Sequence, residues 1–274
     1  MAGFEKYRIP PEGGFKIAKL DADDRSCFKD GKEKAQERIL KLRAELAELQ
    51  EVLYAEGKQR LLVVIQAMDT GGKDGTIRAV FEGVNPQGVK VASFKAPTPL
   101  ELAHDYLWRV HERVPAKGEI VVFNRSHYED VLIVRVKGWI DAAETKRRYR
   151  QIRDFERMLA EEGTTIRKFY LHISKEEQKE RLLERIDLSE KQWKFNPGDL
   201  EERKLWEDYQ RAFEDALNET SSKEAPWYAV PANRNWYRNL AVLSILVDAL
   251  KGLKMEYPKQ TEDLAPYRQR LLEE

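Results

Sequence analysis

Continuous apolar runs without alternation constrain the fold of this chain more than any other feature of its sequence. The clearest is Leu61–Ile65, in which every residue is a leucine, valine or isoleucine. Strands that are buried on both faces, as in a parallel sheet, have this pattern. Helical patterns separate it from similar runs at Val89–Phe94, Ile120–Phe123, Ile166–Ile173 and, more weakly, Trp227–Val230. The alternation predicts βαβ units and an α/β fold, with a mostly parallel sheet flanked by helices.

Helix boundary signals support this alternation. Capping boxes, in which an N-cap side chain and an acid three residues later satisfy free N–H groups, are predicted at Thr98/Glu101, Asp141/Glu144 and Ser174/Glu177. Gly163 is typical of the residue that follows a helix in the left-handed conformation.

A long helix is predicted earlier in the chain, from Lys32 to Lys58. Its apolar residues lie four and three positions apart, so that one stripe of the helix contains Ala35, Ile39, Leu42, Leu46, Leu49 and Leu53. We favour packing of this stripe on its own domain, because fewer than four heptads are available. A subunit contact is the alternative, and it would suit the homo-oligomer that we expect.

Composition excludes several classes of protein. The 48 basic and 48 acidic residues give a formal charge of zero, which argues against coating nucleic acid by bulk electrostatics. No apolar run approaches the ~20 residues that a membrane helix needs, and charges from Glu5 onward leave no secretory signal. Cys27 is the only cysteine, which excludes an intrachain disulfide and a site of several thiolates. We therefore expect a cytoplasmic protein with no nucleic-acid or membrane partner.

The length suits two domains or one α/β domain with insertions, and we predict one domain over 1–274. Its first thirty residues are rich in Gly, Pro and charge and are predicted to form an extended arm. The highly charged segment 175–223, helical on both sides of Asn196-Pro197-Gly198, is predicted to be a lid rather than part of the core.

A glycine-rich turn follows the first predicted strand. Ala67-Met68-Asp69-Thr70 leads into Gly71-Gly72-Lys73-Asp74-Gly75-Thr76, and a helix is predicted to start near Ile77. Strand, glycine-rich turn, lysine and helix are the layout of a P-loop, in which backbone N–H groups, a helix N-terminus and an ammonium bind phosphate. The match is imperfect, because Ala67 replaces a glycine and Asp74 stands where Ser or Thr would hold magnesium.

Asp69 inside this loop would repel phosphate unless a cation lay between them. We therefore infer a magnesium ligand, with a turn-capping role as the alternative.

A second polar group follows the third predicted strand, where Asn124 and Arg125 would emerge beside the loop if the first and third strands are neighbours. Arg125 suits the charge of a migrating phosphoryl group, although a surface ion pair is the alternative. His127 could act as a base, but a structural role is the simpler interpretation.

The predicted lid carries Arg181 and Arg185 on one helical face, with Lys191 and Lys194 downstream. These cations could close over a phosphate chain, or they could pair with neighbouring glutamates on a solvated helix. Trp193 and Phe195 could stack a base or pack the lid.

These stretches together resemble the family-2 polyphosphate kinases, P-loop enzymes related to thymidylate kinase. The resemblance runs from about Tyr7 to Leu253. Ala67–Gly75 resembles the family's variant Walker A, in which the inserted Asp and the missing Ser/Thr are normal, and Asn124–Tyr128 resembles its Walker B stretch. The family's lid module is similar to His172–Gln178 together with Arg181, Arg185 and Gln192-Trp193-Lys194, and Asp199 falls where that lid has an acid. The family's C-terminal strand-to-helix segment is similar to Trp227–Ala232 with Trp236-Tyr237-Arg238.

The resemblance implies a phosphoryl transfer from inorganic polyphosphate to AMP and ADP, in both directions, with Mg²⁺. Guanine nucleotides are possible acceptors beside adenine nucleotides. It implies that Asn124, where many members have Asp, marks the subgroup that acts on mono- and diphosphates. The implied catalytic residues are Asp69, Lys73, Asn124, Arg125, Arg185 and Asp199, with Asp69 as the metal ligand. The phosphate-binding residues are expected to be Gly71, Gly72, Lys73, Asp74, Gly75, Thr76 and Arg181.

Two other functions fit the same residues. One is an ATP-dependent nucleoside monophosphate kinase, which would need ATP as the donor. The other is a regulator that binds nucleotide or phosphate without turnover.

Overall fold

The computed structural model describes residues 3–274, and a five-stranded parallel sheet lies at its centre. The strand order is β2-β3-β1-β4-β5. The strands are β1 (Arg60–Ala67), β2 (Val89–Ser93), β3 (Ile120–Asn124), β4 (Thr164–His172) and β5 (Trp227–Pro231). The expected α/β fold is confirmed, and β1 and β3 are neighbours with Ile65 opposite Asn124.

Helices cover the sheet on both faces. They are α1 (Gly31–Glu56), α2 (Lys73–Val80), α3 (Pro99–Leu102), α4 (Trp108–His111), α5 (Ile133–Val136), α6 (Ala142–Glu161), α7 (Lys175–Asp187), α8 (Gly198–Lys204), α9 (Trp206–Thr220), α10 (Asn235–Gly252) and α11 (Ala265–Glu273). Among residues 3–274, no helix is both long and apolar enough to span a bilayer.

The predicted caps are present. Thr98 forms a complete capping box with Glu101 at the start of α3. The carboxylate of Asp141 and the hydroxyl of Ser174 accept from the backbone N–H of the third residue of α6 and α7, at 2.7 and 3.1 Å. Gly163 follows α6 with a φ of +86°, as predicted. These polar groups satisfy N–H groups that a helix cannot satisfy itself.

Burial along the strands follows their place in the sheet. Leu61–Ile65 of the central strand β1 is fully buried, as its sequence predicts. β2 was expected to be buried on both faces and is not, since it is an edge strand, and its Val91 is 52% exposed. An edge strand has a neighbour on one side only, and apolar sequence alone does not distinguish it from a central strand.

The long helix α1 packs along α10, which is almost entirely buried. Ala35, Leu46 and Leu53 of the predicted stripe are fully buried in the core. The stripe therefore packs on its own domain, which is the favoured interpretation. The homo-oligomer stays a prediction.

The N-terminal arm lies over β5 and the start of α10. Phe4, Tyr7 and Ile9 are buried, and the backbone N–H of Ile9 donates to the carbonyl of Trp227 at 2.8 Å. The hydroxyls of Tyr7 and Tyr237 lie 2.6 Å apart. The arm therefore belongs to the core although it contains only short 3₁₀ turns.

The segment expected to form a lid has two parts. α7, α8 and the turn between them carry mostly exposed or half-buried side chains. α9 differs from the expectation, because Tyr209, Phe213 and Leu217 are buried in the hydrophobic core. Its apolar face follows a helical period that the high charge of the segment masks. The exposed part therefore ends near Leu205 rather than at residue 223.

Candidate active site

The glycine-rich turn joins the central strand to α2, which begins at Lys73, earlier than the start near Ile77 that we predicted. The turn is tight: the N–H of Gly71 donates to the carbonyl of Met68 at 3.0 Å. A Cβ at Gly71 would lie 2.5 Å from the Cβ of Ala67, and Gly72 has a φ of +92°. Both positions therefore require glycine, as a loop that presents its backbone N–H groups to phosphate would.

Two non-glycine residues with left-handed backbone conformation lie at the same edge of the sheet. Thr70, in the glycine-rich turn, has a φ of 61°, and Arg125, directly after β3, has a φ of 60°. Such conformations are unfavourable for residues with a Cβ, and they cluster at functional sites. The N–H of Arg125 donates to the carbonyl of Ile65 at 3.2 Å, which holds this turn against β1.

Lys73 turns back toward the end of β1. Its ammonium donates to the carbonyls of Ala67 and Met68 at 3.0 and 3.4 Å. Burial, and secondly the Arg125 guanidinium, lower the pKa of Lys73, while Asp69 opposes this shift. The backbone carbonyls that Lys73 contacts are partners that a stronger acceptor, such as a phosphate oxygen, could replace.

Asp69 and Arg125 form an ion pair at the centre of the site. Nη2 of Arg125 lies 2.8 Å from Oδ1 of Asp69. Burial alone would lower the pKa of Arg125, but the carboxylates of Glu129, Asp69 and Asp199 outweigh it and raise that pKa. The guanidinium is therefore surrounded by three carboxylates, which keeps it charged in a partly buried place.

Asn124 contacts the first turn of α2. Its Nδ2 donates to Oδ1 of Asp74 at 2.6 Å. An amide can donate to this carboxylate, whereas an aspartate in its place would repel it.

The lid approaches the same edge through Arg185, whose Nη1 lies 3.0 Å from Oδ2 of Asp199 and 3.2 Å from the carbonyl of Lys194. Burial, and secondly the charge of Asp69, raise the pKa of Asp199, while Arg185 opposes the shift. The two carboxylates line one cavity, and their like charges repel.

Arg181 has a different environment from the one predicted. Its N–H groups donate to Glu177 at 2.7 Å, to the carbonyl of Thr70 at 3.0 Å and to the carbonyl of Ala232 at 2.7 Å. These contacts fasten α7 to the glycine-rich turn and to the end of β5. Arg181 therefore holds the loop in place, and it does not line the cavity described next.

A cavity of about 580 Å³ brings most of the predicted residues together at the carboxyl ends of β1 and β3. The predicted residues that line it are Asp69, Gly71, Gly72, Lys73, Asp74, Gly75, Asn124, Arg125, Arg185 and Asp199. Thr76 was expected to bind phosphate, but it is fully buried, and its hydroxyl donates to the carbonyl of Gly72 at 3.0 Å. Thr76 therefore shapes the loop from inside.

Sequence reasoning missed Glu129, which lies four residues after Arg125 and accepts from Gln66 Nε2 at 3.0 Å. Gln178 was missed as well. It is buried and donates to the backbone carbonyl of Asp69 at 3.0 Å. Glu129 lies in the polar stretch that follows β3 and that already suggested a site. Its position in that stretch is therefore the sequence feature that could have identified it.

A second cavity of about 630 Å³ adjoins the first, and Phe94 and Arg125 line both. Its other walls include the aromatic side chains of Tyr106 and Trp139. Trp139 is 69% exposed, which is unusual for so large an apolar side chain. This second cavity, which we call the aromatic cleft, therefore places aromatic side chains beside the charged site.

Neither Trp193 nor His127 lies at these cavities. Trp193 is 78% exposed, and its Nε1 donates to the carbonyl of Glu190 at 3.0 Å. His127 is fully buried, with Nε2 3.3 Å from Oε1 of Glu156. This buried position beside Glu156 agrees with the structural role that we favoured for His127.

The fold and this edge define a class of protein. At the edge of a parallel sheet, one cavity holds a glycine-rich loop, three lysines, two arginines and three aspartates. These are the groups that bind and transfer phosphoryl groups.

Comparison with known proteins identifies the family within that class. The family model described as Polyphosphate kinase 2 (PPK2) matches residues 29–259. The crystal structure of polyphosphate kinase 2 from Arthrobacter aurescens is 47% identical, has a TM-score of 0.96, and the match covers 100% of this chain and 98% of that one. The chain belongs to the polyphosphate kinase 2 family.

Relatives with assigned activities are also similar. The AMP/ADP-polyphosphate phosphotransferase of Meiothermus ruber is 61% identical over 255 residues, which cover 93% of this chain and 96% of that protein. The ADP-polyphosphate phosphotransferase of Rhodopseudomonas palustris is 46% identical over 261 residues, 89% of this chain and 90% of that protein.

Proposed function

We propose that the chain transfers the terminal phosphoryl group of inorganic polyphosphate to AMP and ADP, and that the reaction runs in both directions. The observation that carries this proposal is the cavity in which the ammonium of Lys73, the guanidinium groups of Arg125 and Arg185 and the carboxylates of Asp69 and Asp199 meet. The name of the Meiothermus ruber relative supports the choice of both acceptors.

Phosphate binding falls to the glycine-rich loop. The backbone N–H groups of Gly71–Gly75 and the N-terminus of α2 would bind phosphate oxygens. Lys73 would exchange its two backbone carbonyl partners for these oxygens. Asp74, exposed in the first turn of α2 and bonded to Asn124, would orient that end of the loop.

Mg²⁺ fits the carboxylates of the cavity. Asp69 raises the pKa of Asp199, so a cation near both would relieve their repulsion. No cluster of three or more His, Cys, Asp or Glu suited to a metal occurs in residues 3–274. Mg²⁺ prefers one or two carboxylates together with substrate phosphates and water, so this donor set is sufficient. Asp69 would hold the ion, which when bound neutralises charge on the phosphate oxygens.

The arginines would stabilise the migrating group. An oxygen of the acceptor's terminal phosphate forms a new bond to the terminal phosphorus of polyphosphate. The bond between this phosphorus and the rest of the chain breaks, and the shortened polyphosphate leaves with the electron pair. Two guanidinium groups would offset the charge on the moving oxygens. One belongs to Arg125, at the wall shared by both cavities, and the other to Arg185 of the lid. No covalent enzyme intermediate is needed, since positioning and charge suffice.

The acceptor's base would occupy the aromatic cleft. Tyr106 and Trp139 line this cleft, and Arg125 lies where the acceptor's phosphate would enter the site. The Arg148 guanidinium lies 4.8 Å from the centroid of the Tyr106 ring, so the exposed Trp139 is the better stacking partner for the base. Donor and acceptor would then lie on opposite sides of Arg125. Trp193, whose environment is solvent, is a poorer candidate for base stacking.

The experiment supplies the purified protein with AMP, Mg²⁺ and polyphosphate but no ATP, and follows products by phosphorus NMR. We expect ADP and then ATP. Lys73→Ala and Asp69→Asn should each lower turnover more than tenfold, whereas Lys179→Ala, an exposed lysine of α7, should not.

Two results would overturn the proposal. ADP formation that requires ATP would indicate a nucleoside monophosphate kinase. Tight binding of nucleotide without any product would indicate a regulator.

A further inference from the structure

Arg238 is a buried guanidinium without an acidic partner. Its side chain is 2% exposed, and it donates to the side-chain oxygens of Asn235 at 2.8 Å and of Asn239 at 2.9 and 3.1 Å. No carboxylate of residues 3–274 forms an ion pair with it. Arginine is rarely this buried unless a charge compensates it, so its position needs an explanation.

The guanidinium lies against the glycine-rich loop. A Cβ at Gly72 would lie 2.0 Å from Nη1 of Arg238, and a Cβ at Gly75 would lie 3.6 Å from Nη2. The absence of a side chain at Gly72 therefore does two things. It permits the left-handed turn, and it lets a positive charge touch the loop although Arg238 does not line the cavity.

The surroundings of Arg238 are themselves positive. Nη1 of Arg181 would lie 3.5 Å from the same Cβ of Gly72. The N-terminus of α2, which carries partial positive charge, begins at the next residue. Burial, and secondly the charge of Arg181, lower the pKa of Arg238 to about 9, so that it still carries its proton at neutral pH.

These like charges repel one another in the free protein, and a polyanion in the loop would relieve the repulsion. We propose that Arg238 is a positioning residue for polyphosphate, whose charge acts through the glycine-rich loop without touching the substrate. This inference rests on the proposed function, because it assumes that the loop binds a phosphate chain.

The test measures binding of pyrophosphate, without nucleotide, by calorimetry. Arg238→Met removes the charge and keeps a long side chain, and Arg238→Lys keeps the charge. The matched control is Arg234→Gln, an exposed arginine that precedes α10 and pairs with Asp23 at 2.9 Å. We expect the dissociation constant to rise on the order of tenfold in Arg238→Met, and to change little in the other two variants.

Thermal unfolding separates this role from a structural one. A merely structural arginine would lower the melting temperature of the free protein in both Arg238 variants and leave pyrophosphate affinity unchanged, which would overturn the proposal. We expect instead that Arg238→Met keeps the free protein at least as stable as Arg238→Lys does, because a buried charge is removed.

Arg238→Lys gives a second measurement that does not depend on folding of the methionine variant. A lysine there would have a lowered pKa, so its pyrophosphate affinity should fall as pH rises from 7 toward 9, relative to the wild type. Equal pH profiles would contradict the proposal.

A failure of the proposed function can be distinguished from a failure of the proposal for Arg238. If the wild type binds pyrophosphate but forms no ADP from polyphosphate and AMP, the reaction is wrong, while the comparison of variants still decides the role of Arg238.

Discussion

The buried ion pair beneath the site offers the sharpest test of the fold's energetics. Nζ of Lys168, on β4, lies 2.5 Å from Oε2 of Glu156, on α6, and both side chains are almost fully buried. The same ammonium donates to the hydroxyl of Tyr128 and to the carbonyl of Thr220, each at 2.8 Å. Glu156 also accepts from Tyr128 at 2.8 Å. We predict that Glu156→Gln destabilises the protein strongly.

The magnitude follows from what the substitution leaves behind. Glutamine keeps the shape of the side chain, but the ammonium of Lys168 then lacks a counter-charge in the core. Breaking one partner of a buried pair costs about 3–5 kcal/mol. Each kcal/mol lowers the melting temperature of a chain of this size by roughly 2–4 °C, so a fall of about 6–20 °C is expected. Removing both charges, with Lys168→Met added, should recover much of the loss.

The assay is urea and thermal unfolding at several pH values. Burial already lowers the pKa of Lys168, and Glu156 opposes that shift. Without Glu156 the folded state holds this proton less tightly than the unfolded state. The unfolded state then binds more protons, and the stability of Glu156→Gln should rise with pH toward ~10.4. A loss below about 1 kcal/mol, or a double variant whose loss is the sum of the single ones, would refute this reasoning.

Three further predictions concern the site. Gly72→Ala should lower the free energy of unfolding by roughly 1–3 kcal/mol and weaken pyrophosphate binding. Its control is Gly83→Ala, which has a φ of +83° but open space around it, so an unfolding assay should show the backbone effect alone. Asp199→Asn should raise KM for polyphosphate, since it loses its ion pair with Arg185. Burial and Asp69 raise the pKa of Asp199, so acidification should break this ion pair at a higher pH than it would for an ordinary aspartate. At that pH the KM of the wild type should rise, while the KM of Asp199→Asn stays level. Trp139→Ala should raise KM for AMP and leave pyrophosphate binding unchanged, and an unchanged KM would remove the base from the aromatic cleft.

The sequence allows prediction of features that depend on local pattern. The run Leu61–Ile65 predicts a strand that is buried on both faces, because such a strand accepts apolar residues at every position, whereas its central place in the sheet is known only from the structure. The glycine-rich turn and Asn124-Arg125 follow strands that turn out to be neighbours, so strand ends locate the site. Lys73, Arg125 and Asp69 meet there because the carboxyl ends of parallel strands share one edge. Asp199 reaches the same cavity from α8.

Other features depend on tertiary partners that no local pattern encodes. Arg181 was expected to bind phosphate, yet the carbonyls of Thr70 and Ala232 occupy its N–H groups. The loop and the end of β5 supply these acceptors from distant parts of the sequence. The same limit applies to Arg238, whose contact with Gly72 exists only once α10 lies against the loop.

The pairing at the site explains how a neutral chain can gather so many cations at one edge. Arg125 pairs with Asp69, Arg185 pairs with Asp199, and Lys73 pairs with backbone carbonyls, so in the free protein each cation has a local partner. Binding of a polyanion then exchanges partners and leaves carboxylates that need a cation of their own. We therefore expect affinity for phosphate to be coupled to affinity for a divalent ion, because the acids that stabilise the free site would otherwise repel the substrate.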